Sequence, residues 1–116
     1  MKQIKRLMVV GVFLGASILQ FVAPPQASAA WVYPRSFDQY TLDLKCNQIS
    51  YSVGAAGNRG AQNFGGTVSD WYCVITPSWK YWISPGDACR YRYGKDYRFV
   101  TTNFYYKYGG YCAVWR

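Results

Sequence analysis

The chain has 116 residues, with 13 Lys and Arg against 5 acidic residues, no His, and a formal net charge of +8. Every acidic residue is Asp, so imidazole and Glu, the usual general bases, are both missing, and the composition argues against an enzyme. Aromatic residues make up 20% of the chain and it holds four cysteines, which together suit a small cross-linked binding protein.

Met1 to Ala29 reads as a secretory leader. Lys2, Lys5 and Arg6 form a basic start, Leu7 to Val22 an apolar middle, and Ala27-Ser28-Ala29 a small-residue cleavage site. The expected product is an exported chain, periplasmic or extracellular, cut near Ala29, with residues 30–116 as its one domain. Beyond the leader, ten Lys and Arg face five Asp, a net of +5. Residues 30–88 are balanced, whereas 89–116 hold six basic residues and only Asp96. That asymmetry points to an anionic partner or to a merely solubilising charge.

Trp31-Val32-Tyr33 reads as an extended lead-in, kept from the centre of a sheet by Pro34. Tyr40, Leu42 and Leu44 alternate with Thr41, Asp43 and Lys45, the pattern of a half-buried strand running into Cys46. Gln48 to Val53 alternates in the same way and predicts a second strand or a continuation. Gly54 to Gly66 reads as a long flexible loop, with Arg59 as an exposed contact. Thr67 to Ile75 returns to strand character, with Val68, Trp71, Cys73 and Ile75 as the buried positions. Thr76-Pro77-Ser78 breaks it, Trp79 to Ile83 is a short aromatic run, and Ser84-Pro85-Gly86-Asp87 is a turn by composition.

The last stretch, Cys89 to Arg116, carries the unusual chemistry. Arg90 and Arg92 alternate with Tyr91 and Tyr93, Gly94-Lys95-Asp96 interrupts, and Tyr97 to Thr102 resumes extended character, predicting a hairpin. A second hairpin is expected between Phe104–Tyr108 and Tyr111–Trp115, turned by Gly109-Gly110. That register puts Phe104, Tyr106, Tyr108, Tyr111, Ala113 and Trp115 on one face, as core or as a ligand platform. No segment shows helical spacing. The expected fold is all-β: a small disulfide-stabilised antiparallel sandwich or barrel of hairpins.

Four cysteines in an exported chain predict two disulfides. No Cys-x-x-Cys pair and no His are present, so no metal site is expected, and no cofactor. Three pairings of Cys46, Cys73, Cys89 and Cys112 are possible. Trp71-Tyr72-Cys73-Val74 echoes Gly110-Tyr111-Cys112-Ala113-Val114, which favours Cys46 with Cys73 and Cys89 with Cys112.

Cations interleaved with aromatic rings suit stacking on sugars with the charges meeting carboxylates or phosphates. Arg90, Tyr91, Arg92, Tyr93, Arg98, Tyr106, Lys107 and Tyr108 are the expected ligand surface. An anionic polymer, polysaccharide or membrane surface of the cell envelope is the expected partner, with an antimicrobial role using the same features. For an exported chain, nucleic acid is the less expected encounter.

One segment supports a different class. Cys73-Val-Ile-Thr-Pro-Ser-Trp-Lys-Tyr-Trp-Ile-Ser-Pro-Gly-Asp-Ala-Cys89 resembles the first disulfide loop of the tendamistat-type proteinaceous α-amylase inhibitors. That resemblance implies that Trp79, Lys80 and Tyr81 enter the cleft of a secreted hydrolase, with Lys80 where the family has Arg. It further implies Cys73 paired with Cys89 and Cys46 with Cys112. The family begins at this loop and has two cysteines after it, whereas here a long segment precedes it and one cysteine follows.

Overall fold

The structure is a computed structural model that describes residues 29–116, so the expected leader up to Ser28 lies outside the described residues. Six strands and two helices follow one another: β1 Trp31–Ser36, α1 Gln39–Ser52, β2 Ala61–Asn63, β3 Trp71–Thr76, β4 Trp79–Trp82, α2 Pro85–Tyr93, β5 Tyr97–Thr101 and β6 Gly110–Trp115. The strands form two antiparallel three-stranded sheets, ordered β1-β6-β5 and β2-β3-β4. The β-rich, disulfide-stabilised architecture expected from the sequence is therefore present. β1 lies at a sheet edge, and its pairing with β6 is interrupted between Val32 and Arg35, where Pro34 has no N–H to give.

Three local expectations are corrected. The alternating stretch from Tyr40 to Val53 is helix α1, not strand. Asp38 caps it by accepting the Thr41 amide at 2.9 Å, and Leu42, Cys46 and Ser50 are buried with Ile49 packed beside them. Those positions recur at helical spacing, and the apparent period of two came from Tyr40, which points to solvent. The helix ends with the Gly54 amide bonding to the Tyr51 carbonyl and the Ala55 amide to the Ser50 carbonyl. Gly54 takes a φ of 76°, which a side chain would resist.

The second correction concerns Ser84 to Tyr93. The expected turn is the start of α2: Ser84 accepts the Asp87 amide and Pro85 occupies the first turn, where a missing N–H costs nothing. Arg90 to Tyr93 are thus helical and do not alternate across a strand.

Third, Gly109-Gly110 does not turn a hairpin. β6 pairs with β5 and β1, while Phe104 to Tyr108 belong to the connecting loop. Neither glycine has a positive φ. They serve close approach instead: a Cβ on Gly109 would stand 1.8 Å from the Asn103 carbonyl oxygen, and one on Gly110 2.3 Å from the Phe99 ring. The Gly54 to Gly66 segment is also more regular than a flexible loop, since Ala61–Asn63 pairs with β3 and the Arg59 amide donates to the Val74 carbonyl.

Cys46 bonds to Cys73 and Cys89 to Cys112, the pairing favoured by the sequence echo and not the one implied by the inhibitor resemblance. Each bridge ties a helix to the middle strand of a sheet: α1 to β3, and α2 to β6. All four sulfurs lie in one buried cluster with Phe37, Leu42, Trp71, Ile75 and Ile83. Trp31 to Arg116 form one compact unit around this core.

Candidate functional site: a cationic and aromatic sheet face

The residues expected to form one ligand surface fall in three places. On α2, Arg90 pairs with Asp87 one turn back. Arg92 is committed to the fold: its guanidinium donates to Thr41 Oγ1 at 2.7 Å, lies 3.2 Å from Asp38 Oδ1 and sits 4.8 Å from the Tyr40 and Tyr93 rings. Tyr93 donates its hydroxyl to the Ser36 carbonyl at 2.8 Å. Tyr91 alone of this group is an exposed ring, with Lys45 Nζ 5.6 Å above it.

In the β5–β6 loop, Tyr106 is exposed beside Phe104 and Tyr105. Tyr108 instead donates to Gln39 Oε1 at 2.8 Å, and the Lys107 carbonyl accepts the Trp71 indole N–H at 2.8 Å. Desolvation by burial, with the charges of Tyr106, Asp43 and Asp38 added, raises the Tyr108 hydroxyl above its ordinary pKa. It stays a donor in the hydrogen bond that holds the loop to α1.

Burial alone pushes the Asp38 carboxyl up, but the Thr41 amide, the Thr41 hydroxyl and Arg92 outweigh it and leave the group below its ordinary value. A carboxylate with a depressed folded pKa stabilises the protein above its unfolded pKa, and that stabilisation fades as pH falls through the folded one. Asp38→Ala is accordingly expected to cost about 1 kcal/mol near neutral pH through loss of the cap. The gap from wild type should close as the pH is lowered towards 3. Thermal melts at both pH values check this, and a gap that widens in acid would contradict the capping role.

Arg98 is the predicted residue that opens onto a cleft. It lies on β5 opposite Ala113 of β6, on the face that also carries Trp31 and Trp115, which pair across β1 and β6. The two indoles meet edge to face with centroids 4.9 Å apart and remain 39% and 53% exposed, so they form a wet platform and not a core. A cleft of about 580 Å³ is bounded by Trp31, Arg98, Phe99 and Trp115. A second, of about 300 Å³, is bounded by Asp96, Arg98, Val114, Trp115 and Arg116.

Sequence reasoning missed Trp31, Asp96 and Arg116 as site residues. It placed Trp115 on a different hairpin. The available signal was an aromatic near each end of residues 30–116, and only the pairing of β1 with β6 brings those two together. Trp79, Lys80 and Tyr81 are exposed on β4, at the edge of the other sheet, where the Trp79 indole donates to the Tyr81 hydroxyl at 2.9 Å. No group of three or more metal-ligating side chains occurs among the described residues, and none of their helices is long and apolar enough to cross a membrane.

No family model, no curated protein and no solved structure matches this chain.

Proposed function

We propose that this is an exported binding protein that attaches to anionic or carbohydrate surfaces of the cell envelope, with antimicrobial action as one use of that attachment. The observation that carries the reading is the exposed indole pair Trp31–Trp115, with Arg98 lining the same cleft. Rings with a neighbouring cation give both stacking and charge attraction. The net charge of +5 beyond the leader supplies the long-range pull. Two disulfides agree with passage through an oxidising compartment.

The test is binding of the exported chain to isolated cell envelopes at low and high salt. Attachment is expected to weaken steeply at 1 M salt, where the Debye length is only about 3 Å. Trp115→Ala and Arg98→Ala should each weaken it roughly tenfold, about 1.4 kcal/mol. Binding that ignores both salt and these substitutions would overturn the reading.

A second reading is inhibition of a secreted glycoside hydrolase of the α-amylase type by the β3–β4 hairpin, favoured by the solvent exposure of all four β4 residues. The disulfide pairing does not make the loop that the inhibitor resemblance implies, so the hairpin turn itself would have to present Trp79, Lys80 and Tyr81. Under this reading Trp79→Ala abolishes inhibition of a secreted α-amylase, salt matters little, and Trp115→Ala has no effect.

A further inference from the structure

We infer that the two clefts on the outward face of the β1-β6-β5 sheet are adjoining subsites for an acidic saccharide, one subsite stacking a sugar ring and the other taking its neighbour's anionic group. This rests on the envelope-binding reading above and names the ligand class for that same face.

The clefts share Arg98 and Trp115 as walls, so a chain of sugar units can run from one into the other. Their chemistry differs. The larger is bounded by Trp31 and Trp115, whose exposed indole planes can take up the C–H face of a pyranose, while the Phe99 ring packs on Phe37 on the core side. The smaller has Arg98, Arg116 and Asp96 on its walls, two cations against one carboxylate. The two guanidinium forks are there to meet an anionic group of the ligand.

The hydrogen bonds already made show which atoms are free to meet it. Arg98 uses only Nη1, donating to the Lys95 and Tyr97 carbonyls, both at 3.0 Å, so Nε and Nη2 have no protein acceptor among the described residues. Arg116 donates through Nη1 to the Tyr33 hydroxyl at 3.2 Å and lies 5.1 Å from that ring. Neither arginine is in an ion pair among the described residues, where the pairs are Arg90–Asp87 and Arg92–Asp38. Their planar forks suit a carboxylate or phosphate.

Asp96 decides between ligand classes. Its carboxylate accepts no side-chain hydrogen bond among the described residues, yet it lines the same cleft as the two arginines. Facing a lipid headgroup layer or a nucleic-acid backbone, it would repel phosphate. Facing a sugar, it accepts from the ring hydroxyls that flank the acid group. A ligand with an acid group and many hydroxyls meets both the arginine forks and Asp96.

The experiment is a titration of the exported chain, followed by tryptophan fluorescence, with three soluble probes and one surface. The soluble probes are a hyaluronan tetrasaccharide, a galacturonate tetrasaccharide and the neutral chitin tetrasaccharide; the surface is vesicles of phosphatidic acid, whose headgroup is a phosphate without hydroxyl-bearing carbons. At least one acidic tetrasaccharide should bind tenfold or more tighter than the neutral one. Asp96→Ala should weaken that binding severalfold while leaving vesicle binding equal or stronger. Trp31→Ala should weaken binding without changing its salt dependence, and Arg116→Ala should flatten it.

Equal binding of neutral and acidic saccharides, no binding of either acidic one, or an Asp96→Ala variant that gains affinity for them would overturn this inference. In those cases salt-sensitive attachment to envelopes can still stand, with the vesicles as its soluble counterpart. Loss of envelope, vesicle and saccharide binding together would sink the envelope reading as well.

Discussion

Trp71→Ala is expected to lower the stability of the fold by about 3–5 kcal/mol. Trp71 is 1% exposed, lies with its ring centroid 5.3 Å from that of Tyr108 at a 40° tilt, and is the largest fully buried side chain among the described residues. Its removal opens a cavity between β3 and the β5–β6 loop, and the Lys107 carbonyl loses the indole N–H that satisfies it at 2.8 Å. The bond to the Lys107 carbonyl is only part-buried, so water can replace the indole and its loss adds little beyond the cavity. A domain of this size has roughly 4–13 kcal/mol in total, so the variant stands close to the threshold of folding. Trp71→Phe keeps one ring while losing the donor and the second ring, so its cost should fall between wild type and Trp71→Ala. Urea midpoints followed by far-ultraviolet circular dichroism give both numbers; a cost below 1 kcal/mol for Trp71→Ala would mean that this core is not where the stability lies.

Removal of either disulfide should be of similar consequence. The bridges close segments of 27 and 23 residues, and the loop-closure entropy of each corresponds to about 3–4 kcal/mol. The near-equal lengths predict near-equal losses for Cys46→Ala/Cys73→Ala and Cys89→Ala/Cys112→Ala, and full reduction should unfold the chain at ambient temperature. Function should separate them. Cys89–Cys112 anchors β6, which carries Trp115, so its loss should weaken binding well below the melting temperature, whereas loss of Cys46–Cys73 should not. A reduced chain that keeps its native dichroism would contradict the dependence of so small a core on its cross-links.

Much of the framework was legible because its signals are local or combinatorial. An even set of cysteines, the Tyr-Cys-Val echo, β-branched runs and Pro34 at an edge all read correctly. The helices were hidden. In α1 the polar Thr41 and Ser50 are buried and Tyr40 is exposed, so hydropathy does not trace the buried face. The better signals were the caps, Asp38 three residues before Thr41 and Ser84-Pro85 before Asp87, which bear on backbone donors and not on hydrophobicity.

The residues of the candidate site were legible as a set but not in place. Cations and rings interleave in the sequence, but Arg92, Tyr93 and Tyr108 spend theirs on contacts to Asp38, Ser36 and Gln39, distant in sequence. Trp31 and Trp115 are 84 positions apart, and only the β1–β6 register makes them neighbours.

The order of the two bridges bears on how the chain acquires them. Cys46 joins Cys73 before Cys89 appears in the sequence, and Cys89 joins Cys112 after both are spent. A chain oxidised as it emerges, first residue first, therefore meets each correct partner before any wrong one. The complete reduced chain has three pairings to sort through. Biogenesis from the N-terminus thus reaches the native cross-links directly, and refolding in bulk is where scrambled species should arise.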